Sequence, residues 1–252
     1  MSQVFRTRNS VVHALSDITL TVGAGEFVSL VGPSGCGKST LLMALAGLQQ
    51  PASGSIRIDG ELVKGPSPLM GIAFQRDNLL EWRTVLANVL VQAELRGLGR
   101  ERYRERASRL LDMVGLAGFE RSYPRELSGG MRQRVALCRA ILHSPSLLLM
   151  DEPFGAVDAM TREQLHKDVG TMCAATGVTA MLVTHDINEA VFMSDRVCVM
   201  TPRPGRIAAV IEVAGAKPRD TSFRSSPEFV EAGRAIRAVL ESGAALTGAR
   251  SA

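Results

Sequence analysis

A strand, a glycine-rich turn and a helix follow one another near the start of this chain. The mostly apolar run EFVSLV at residues 26–31 leads directly into GPSGCGKST at residues 32–40. That segment fits the P-loop pattern Gly-x-x-x-x-Gly-Lys-Ser, whose backbone N–H groups and following helix N-terminus hold phosphate oxygens. An accidental glycine turn is the alternative, and the strand before it and the helix predicted at residues 40–48 argue against it. The sequence therefore predicts an α/β fold with a phosphate-binding loop.

The P-loop supplies the first group of predicted binding residues. Lys38 should reach the β- and γ-phosphates of ATP, and Ser39 should ligate Mg²⁺. Cys36 is interpreted as a small filler of the loop, with a redox switch as the alternative. The residues predicted to contact ATP here are Gly32, Pro33, Ser34, Gly35, Cys36, Gly37, Lys38, Ser39 and Thr40.

Composition narrows the class of protein. A hydrophobic content of 46% and a charged content of 21% are typical of a globular protein. No apolar run approaches the ~20 residues needed to span a bilayer, and the first residues lack the apolar segment of a signal peptide. The 4 cysteines show no CxxC spacing, which argues against a zinc site or a disulfide framework. The net charge of +4 does not by itself indicate nucleic acid, so we expect a cytosolic protein unless a partner holds it at a membrane.

The order of periodicities predicts the fold class. Apolar strands at residues 147–150, 179–184 and 196–200 are separated by helical stretches, as in a parallel α/β sheet. Alternating runs at residues 18–22 and 55–59 predict half-buried antiparallel strands. The predicted class is α/β, with a P-loop NTPase core, a mainly parallel sheet, an N-terminal antiparallel β portion and an inserted helical subdomain.

The whole chain is interpreted as one domain with an insertion. Residues 1–76 and 146–215 form the predicted nucleotide-binding core. Residues 77–145 lose strand character and show helical periodicity, which predicts the helical subdomain. Residues 216–252 form a tail with a predicted amphipathic helix at residues 227–240.

An acidic pair follows the strand at residues 147–150. Asp151 and Glu152 come at the strand's exit, where α/β folds bind ligands. Asp151 should hold Mg²⁺, and Glu152 should orient and deprotonate the attacking water as a general base. A surface acidic pair is the alternative, and the P-loop in the same chain argues against it.

A second glycine motif opens a later helix. Ser128, Gly129 and Gly130 precede an apolar stripe, which places them at a helix N-terminus with the features of a second anion site. One chain cannot easily bring two such sites onto one phosphate. A plain glycine N-cap is the alternative, but it does not explain a position between the P-loop and the acidic pair.

Two polar residues at predicted strand ends complete the candidate catalytic set. His185 follows the strand at residues 179–184, and Gln75 ends a strand where the helical region begins. A glutamine carbonyl can touch Mg²⁺ or the attacking water. For both residues the alternative is a structural role at a strand end.

Four motifs in this order carry a family resemblance: GPSGCGKST, LSGGMRQR at residues 127–134, LLLMDEP at residues 147–153 and LVTHD at residues 182–186. Over nearly its whole length, the chain resembles the ATP-binding subunits of ABC transporters. The resemblance implies that two copies pair head to tail, with each ATP between one P-loop and the partner's Ser-Gly-Gly motif. It also implies that His185 contacts the γ-phosphate and that Asp158 lies in a loop crossing the dimer interface.

The same resemblance implies that Phe5 stacks on adenine, with a hydrophobic plug as the alternative. Relatives usually have a strand before this aromatic residue, yet only four residues precede Phe5. We therefore expect either a misplaced start or a missing edge strand.

The resemblance also points to a transport role. The stretches LLEWRTVLANV and MTPRPGRI look like those of nitrate, sulfonate and taurine importers, although Glu81 stands where these relatives often have proline. This implies an ATPase at the cytoplasmic face of a bacterial inner membrane, bound to two membrane permease subunits and indirectly to a solute-binding protein. Soluble ABC ATPases that act on DNA or ribosomes are the alternative, but they need a long coiled coil, two cassettes or zinc cysteines. A P-loop kinase is a further alternative, but a kinase would not need the Ser-Gly-Gly motif that this chain contains.

Two surfaces remain open to interpretation. Leu79, Leu80 and Trp82 suit either the core of the helical region or an apolar docking surface for a partner helix. The arginine-rich residues 96–109 also contain glutamates at helical spacing, which favours a solvated helix face over a membrane or nucleic-acid surface.

Overall fold

The protein is described from a computed structural model covering residues 1–6, 10–155 and 157–248, with side chains described to residue 242. The strands of these residues are β1 (Gln3–Arg6), β2 (Val11–Leu15), β3 (Phe27–Val31), β4 (Arg57–Ile58), β5 (Glu61–Leu62), β6 (Met70–Ala73), β7 (Leu147–Asp151), β8 (Thr179–Val183), β9 (Arg196–Met200) and β10 (Ile207–Glu212). The helices are α1 (Lys38–Leu45), α2 (Val85–Leu95), α3 (Arg100–Met113), α4 (Gly129–Ile141), α5 (Ala159–Thr176), α6 (Ile187–Met193) and α7 (Pro227–Gly248). Short 3-10 helices lie at Pro124–Glu126 and Thr221–Ser225.

A 6-stranded sheet in the order β10-β9-β3-β8-β7-β6 forms the centre of the molecule. All neighbours pair in parallel except β10, which runs antiparallel to β9. Strands β3, β7 and β8 are apolar along nearly their whole length because helices cover both faces of a parallel sheet. The mainly parallel α/β core predicted from the sequence is confirmed. Its carboxyl edge brings together the segments that follow β3, β7 and β8.

The N-terminal β portion differs from its prediction. Residues 18–22 take part in no strand ladder, so the strand predicted there is wrong. Ile18 exchanges hydrogen bonds with Met1, and the Thr21 carbonyl accepts one from Arg196. The alternation of this run instead reflects apolar side chains packed on the core beneath α1, with Ile18 5% exposed.

Two short hairpins supply the antiparallel pairing. The strand predicted at residues 55–59 shortens to β4, which pairs with β5 around Asp59 and Gly60. Both turn residues have positive φ, as a tight two-residue hairpin requires. At the N-terminus, β1 pairs with β2, and Phe5 lies within β1 opposite Val12. An N-terminal strand is therefore present, and of the two alternatives the missing edge strand is wrong.

The chain between β6 and β7 is helical. Helices α2, α3 and α4 pack on one another, and Leu110 and Leu111 of α3 are buried. Leu79 is buried in this cluster and Leu80 half-buried, whereas Trp82 is 74% exposed. Across residues 1–6, 10–155 and 157–248, no helix is both long enough and apolar enough to cross a membrane.

The C-terminal segment packs against the central sheet. Helix α7 begins at Pro227 as predicted and extends to Gly248, past the predicted end at residue 240. Phe229 and Ile236 are buried against α6, β9 and β10. Before the helix, Arg219 is 6% exposed and donates hydrogen bonds to the carbonyls of Val191, Phe192, Ser194, Val213 and Ala214. These contacts fix the segment on the core.

Candidate nucleotide-binding site

The glycine loop after β3 ends in a left-handed turn that only glycine suits. Gly37 has φ of 109° and caps the N-terminus of α1. A Cβ at this position would lie 2.7 Å from Leu15 Cδ2 and 3.0 Å from the Ala14 carbonyl oxygen. The loop therefore passes too close to β2 for any other residue.

Lys38 is folded over the mouth of the loop. Its side chain is 8% exposed, and Nζ donates to the carbonyls of Gly32 at 2.7 Å and Pro33 at 3.1 Å. The ammonium group has no carboxylate partner within 4.0 Å among the described residues. Cys36 is buried below it, and burial raises the pKa of its thiol, so the thiol stays protonated. This fits the interpretation of Cys36 as a filler.

A cavity of about 300 Å³ opens over this loop. Four separate segments contribute to it: the β1–β2 hairpin, the P-loop, the residue after β7 and the turn between β9 and β10. Phe5, predicted to stack on adenine, lines the cavity. The lining residues are Phe5, Val12, Ala14, Ser34, Gly35, Gly37, Lys38, Ser39, Thr40, Glu152 and Arg203.

Ser39 and Asp151 provide two oxygens suited to a small hard cation. Ser39 Oγ lies 3.5 Å from Asp151 Oδ1. Burial, with Glu152 next to it, raises the pKa of the Asp151 carboxyl, so its negative charge lacks sufficient compensation in the protein alone. A divalent cation would supply that compensation. No cluster of three or more His, Cys, Asp and Glu side chains suited to a metal occurs in the described part of the chain. Mg²⁺ fits such a sparse protein site, since it takes one or two protein oxygens together with phosphates and water.

Glu152 and His185 meet at the carboxyl ends of neighbouring strands. Glu152 Oε2 lies 3.1 Å from His185 Nδ1. Glu152 has φ of 46°, and its N–H donates to the Val183 carbonyl at 2.9 Å. A non-glycine residue in the left-handed region is typical of a constrained functional position. This backbone turns the carboxylate toward the cavity, as predicted for a group that acts on a bound nucleotide.

A buried polar network holds the segment that carries His185. The Thr184 hydroxyl donates to the Glu189 carboxylate and accepts from the Asp186 N–H at 3.0 Å. The other Glu189 oxygen contacts His166 Nε2 at 3.2 Å. Sequence reasoning missed Glu189 and His166. The available signal was a carboxylate one helical turn after the capping Asp186, on a helix whose other residues are apolar except for Asn188.

Gln75 lies outside the cavity. It is exposed after β6 and lines a neighbouring groove of about 670 Å³, together with Glu81, Gly129 and Arg132. A Cβ on Gly155 would lie 3.3 Å from Gln75 Nε2, which places the amide beside the loop that follows Glu152.

The Ser-Gly-Gly motif also lies outside the cavity. Ser128 caps α4, and its Oγ accepts from the Met131 N–H at 3.3 Å. A Cβ on Gly130 would lie 2.3 Å from Thr161 Cγ2, so this glycine allows the close approach of α4 to α5. Asp158 caps α5 by accepting from the Thr161 N–H at 3.0 Å. Each chain thus carries its predicted binding residues in two separate groups.

Three lining residues were not predicted as binding residues. Val12 and Ala14 belong to β2, whose inward face could be recognised only once its pairing with β1 was known. Arg203 lies in the turn between two apolar strands, within the stretch MTPRPGRI. The sequence signal was a cation in a proline- and glycine-rich hairpin turn.

Comparison with known proteins decides the family. A sequence profile described as ABC transporter matches residues 15–155, more than half of the chain. The chain belongs to the ABC transporter family. As a member of that family with its P-loop and Glu152 in one cavity, it is an ATPase.

Relatives of this ABC ATPase match along most of its length. An uncharacterised ABC transporter ATP-binding protein of Methanocaldococcus jannaschii is 44% identical over 96% of this chain and 89% of that protein. The taurine import ATP-binding protein TauB of Burkholderia pseudomallei is 44% identical over 92% of this chain and 91% of that protein. Among solved structures, a dimeric post-hydrolysis state of an ATP-binding cassette bound to ADP and Pi is similar, with 31% identity and a TM-score of 0.72. That match covers 85% of this chain and 97% of the cassette.

Proposed function

We propose that this chain couples Mg²⁺-dependent ATP hydrolysis to the import of a small anionic or zwitterionic solute of the nitrate, sulfonate or taurine type. The observation that carries the proposal is the cavity over the P-loop, with the Ser39–Asp151 pair and the Glu152–His185 pair at its edge. Similarity to taurine import ATP-binding proteins supports the solute class.

The P-loop binds the phosphates of ATP. Backbone N–H groups of residues 34–40 and the N-terminus of α1 hold the phosphates, and Phe5 receives the adenine ring across the cavity. Lys38 exchanges its contacts with the Gly32 and Pro33 carbonyls for the β- and γ-phosphates. Ser39 and Asp151 would hold Mg²⁺, which when bound would neutralise charge on the phosphates.

The Glu152–His185 pair carries the chemical step. Glu152 accepts a proton from the attacking water as that water bonds to the γ-phosphorus, and the bond from phosphorus to the β,γ-bridging oxygen breaks. His185, 3.1 Å from the carboxylate, orients Glu152 and contacts the γ-phosphate. Gln75 joins the site when its loop closes, through its side-chain carbonyl.

A second copy of the chain completes the site. Ser128, Gly129 and Gly130 present a helix N-terminus that does not line this chain's own cavity. Head-to-tail pairing places that N-terminus over the γ-phosphate held by the partner, with Asp158 close to the interface. Similarity to a dimeric cassette with ADP and Pi supports this arrangement.

The groove beside Gln75 provides a route from ATP to a membrane partner. Trp82 is largely exposed next to it, and the groove is lined by Glu81, Arg132 and Gln75. Each copy of the chain receives one helix of one permease subunit in this groove, and two permease subunits bind the pair. Movement of the Gln75 loop is thereby transmitted to the permease. This places the chain at the cytoplasmic face of a bacterial inner membrane, where a solute-binding protein delivers solute from the other side. No nucleic acid takes part.

The Glu152→Gln variant tests the proposed function. We expect it to bind ATP but to hydrolyse it at least ~100-fold more slowly, since a general base contributes about 10²–10⁴ in rate. Without hydrolysis the ATP-bound pair should persist, so gel filtration with Mg-ATP should show a dimer. Unimpaired phosphate release together with a monomer in ATP would contradict the proposal. Co-purification of the wild-type chain with a membrane permease tests the transport role separately.

A further inference from the structure

The turn between β9 and β10 is built onto the P-loop. Gly205 donates its N–H to the Ala14 carbonyl at 2.9 Å, and its carbonyl accepts from the Ser16 N–H at 3.0 Å. A Cβ on Gly205 would lie 2.1 Å from the Cys36 carbonyl oxygen, so the turn touches the loop backbone where only glycine fits. Thr201 closes the turn by accepting from the Arg206 N–H at 3.0 Å. These contacts fix the position of the turn relative to the phosphate site.

Arg203 extends from this turn over the apex of the loop. Its Nε and Nη2 donate to the Gly35 carbonyl at 3.3 and 3.1 Å, and the side chain lines the cavity together with Ser34 and Lys38. No carboxylate of the described residues lies within 4.0 Å of its guanidinium. A guanidinium carries five N–H donors, so several remain for another acceptor.

Charge balance in the cavity identifies the chemistry of that acceptor. The charged side chains lining the cavity are Lys38, Glu152 and Arg203. Lys38 and Glu152 carry opposite charges, so Arg203 leaves the lining with one positive charge, and Asp151 at the edge of the cavity is the carboxylate assigned to Mg²⁺. Arginine stays protonated at every physiological pH and binds phosphate oxygens through parallel N–H groups. The neighbouring Arg206 differs, because it lies 3.7 Å from Asp17 and does not line the cavity.

We propose that Arg203 is a nucleotide-binding residue that contacts the polyphosphate of ATP from the β9–β10 turn. The inference rests on the proposed function, since it takes the cavity to be the ATP site. The turn thereby forms a third wall of the site, next to the P-loop and the β1–β2 hairpin. The Gly35 carbonyl holds the guanidinium in place before the nucleotide arrives, which reduces the entropy lost on binding.

Titration of a fluorescent ATP analogue, with competition by ATP and by AMP, tests the proposal. We expect Arg203→Ala to weaken ATP binding about tenfold, the effect of losing one charge-assisted contact. AMP, which lacks the β- and γ-phosphates, should lose far less affinity. Arg203→Lys should keep most of the ATP affinity because it keeps the charge. Arg206→Ala is the matched control, since it removes the same charge from the same turn, and it should bind ATP like the wild type.

The Arg203→Gln variant separates charge from support of the loop. Glutamine can still donate to the Gly35 carbonyl but carries no charge. The proposal predicts that Arg203→Gln binds ATP as weakly as Arg203→Ala. Wild-type ATP affinity of Arg203→Gln would show that Arg203 only supports the loop through the Gly35 carbonyl. Equal losses for ATP and AMP, or an Arg203→Ala variant that matches Arg206→Ala, would also overturn the proposal. Wild-type protein that binds no ATP, with Lys38→Ala unchanged from it, would instead refute the proposed function itself.

Discussion

At the scale of single residues, two adjacent carboxylates have different environments and different expected roles. Asp151 lies at the end of β7, half-buried beside Ser39, whereas Glu152 turns out of the strand with positive φ toward His185. One peptide bond therefore separates a carboxylate suited to a cation from one suited to a proton. The change in backbone conformation between them is what makes this division possible.

The Asp151→Asn variant should uncouple Mg²⁺ from nucleotide binding. We expect Mg²⁺ to strengthen ATP binding to the wild type and to have little effect on the variant, because asparagine carries no charge to hold the cation. The check is ATP-analogue affinity measured with Mg²⁺ and with EDTA for both proteins. A variant that keeps the full Mg²⁺ effect would contradict the role given to Asp151.

The pH dependence of the same measurement has a defined sign. Burial and Glu152 raise the pKa of Asp151, so its carboxylate takes up a proton at a higher pH than an ordinary aspartate does. Because Mg²⁺ binds the deprotonated form, the Mg²⁺ effect on the wild type should weaken as the pH falls. The Asn variant should show no such change from this position.

At the scale of elements, the turn after α4 contains a histidine, His143, that should limit stability in acid. His143 Nε2 contacts the Met70 carbonyl at 3.1 Å, and its Nδ1 is buried without a hydrogen-bond partner among the described residues. Burial, followed by the charges of Arg96 and Arg106, lowers its pKa to about 4 from the ordinary value of 6.5. The folded protein therefore resists a proton that the unfolded chain accepts.

The free energy of unfolding should decrease as the pH is lowered from 6.5 to about 4. Above pH 6.5 the histidine is neutral in both states, and as the pH falls toward about 4 the unfolded state binds more protons. A His143→Gln variant, which keeps a side chain able to hydrogen-bond the Met70 carbonyl, should lose less stability across this window. Urea unfolding at several pH values provides the measurement. Parallel curves for both proteins would show that His143 does not titrate in this way.

The elements also show what sequence alone can predict. The β3–P-loop–α1 segment was predictable because the spacing of its glycines and lysine fits one local backbone geometry. The segment after β7 was predictable because parallel strands of an α/β sheet bind ligands at their carboxyl ends. The run at residues 18–22 was not, because alternation records which side chains are buried but not whether a neighbouring strand is present. Arg203 was missed for a related reason: its place at the site depends on contacts between Gly205, Ala14 and Cys36, far apart in sequence.

At the scale of the whole molecule, we propose that the chain carries one half of each of two sites. The cavity contains the P-loop and Glu152 but not Ser128, whose helix α4 begins near α5 instead. Two copies related by a two-fold axis would complete both sites at once, because each contributes the same two surfaces. The central claim is therefore that hydrolysis occurs at sites shared between two copies.

Mixing two inactive variants tests that claim most directly. Ser128→Arg keeps its own P-loop but obstructs the partner's site, whereas Lys38→Ala loses its own P-loop but keeps an intact Ser-Gly-Gly motif. In a heterodimer of the two, one site contains both changes and the other contains neither. Steady-state phosphate release is measured for each variant alone, at matched total concentration, and for titrated mixtures, with permease subunits added to promote pairing.

We predict that each variant alone is nearly inactive and that the mixture recovers turnover. With random pairing and independent sites, an equal mixture should reach roughly a quarter of the wild-type rate, since about half the dimers are mixed and each has one intact site. Recovery also shows that both variants fold. Wild-type turnover by Ser128→Arg alone at every concentration would contradict the shared site.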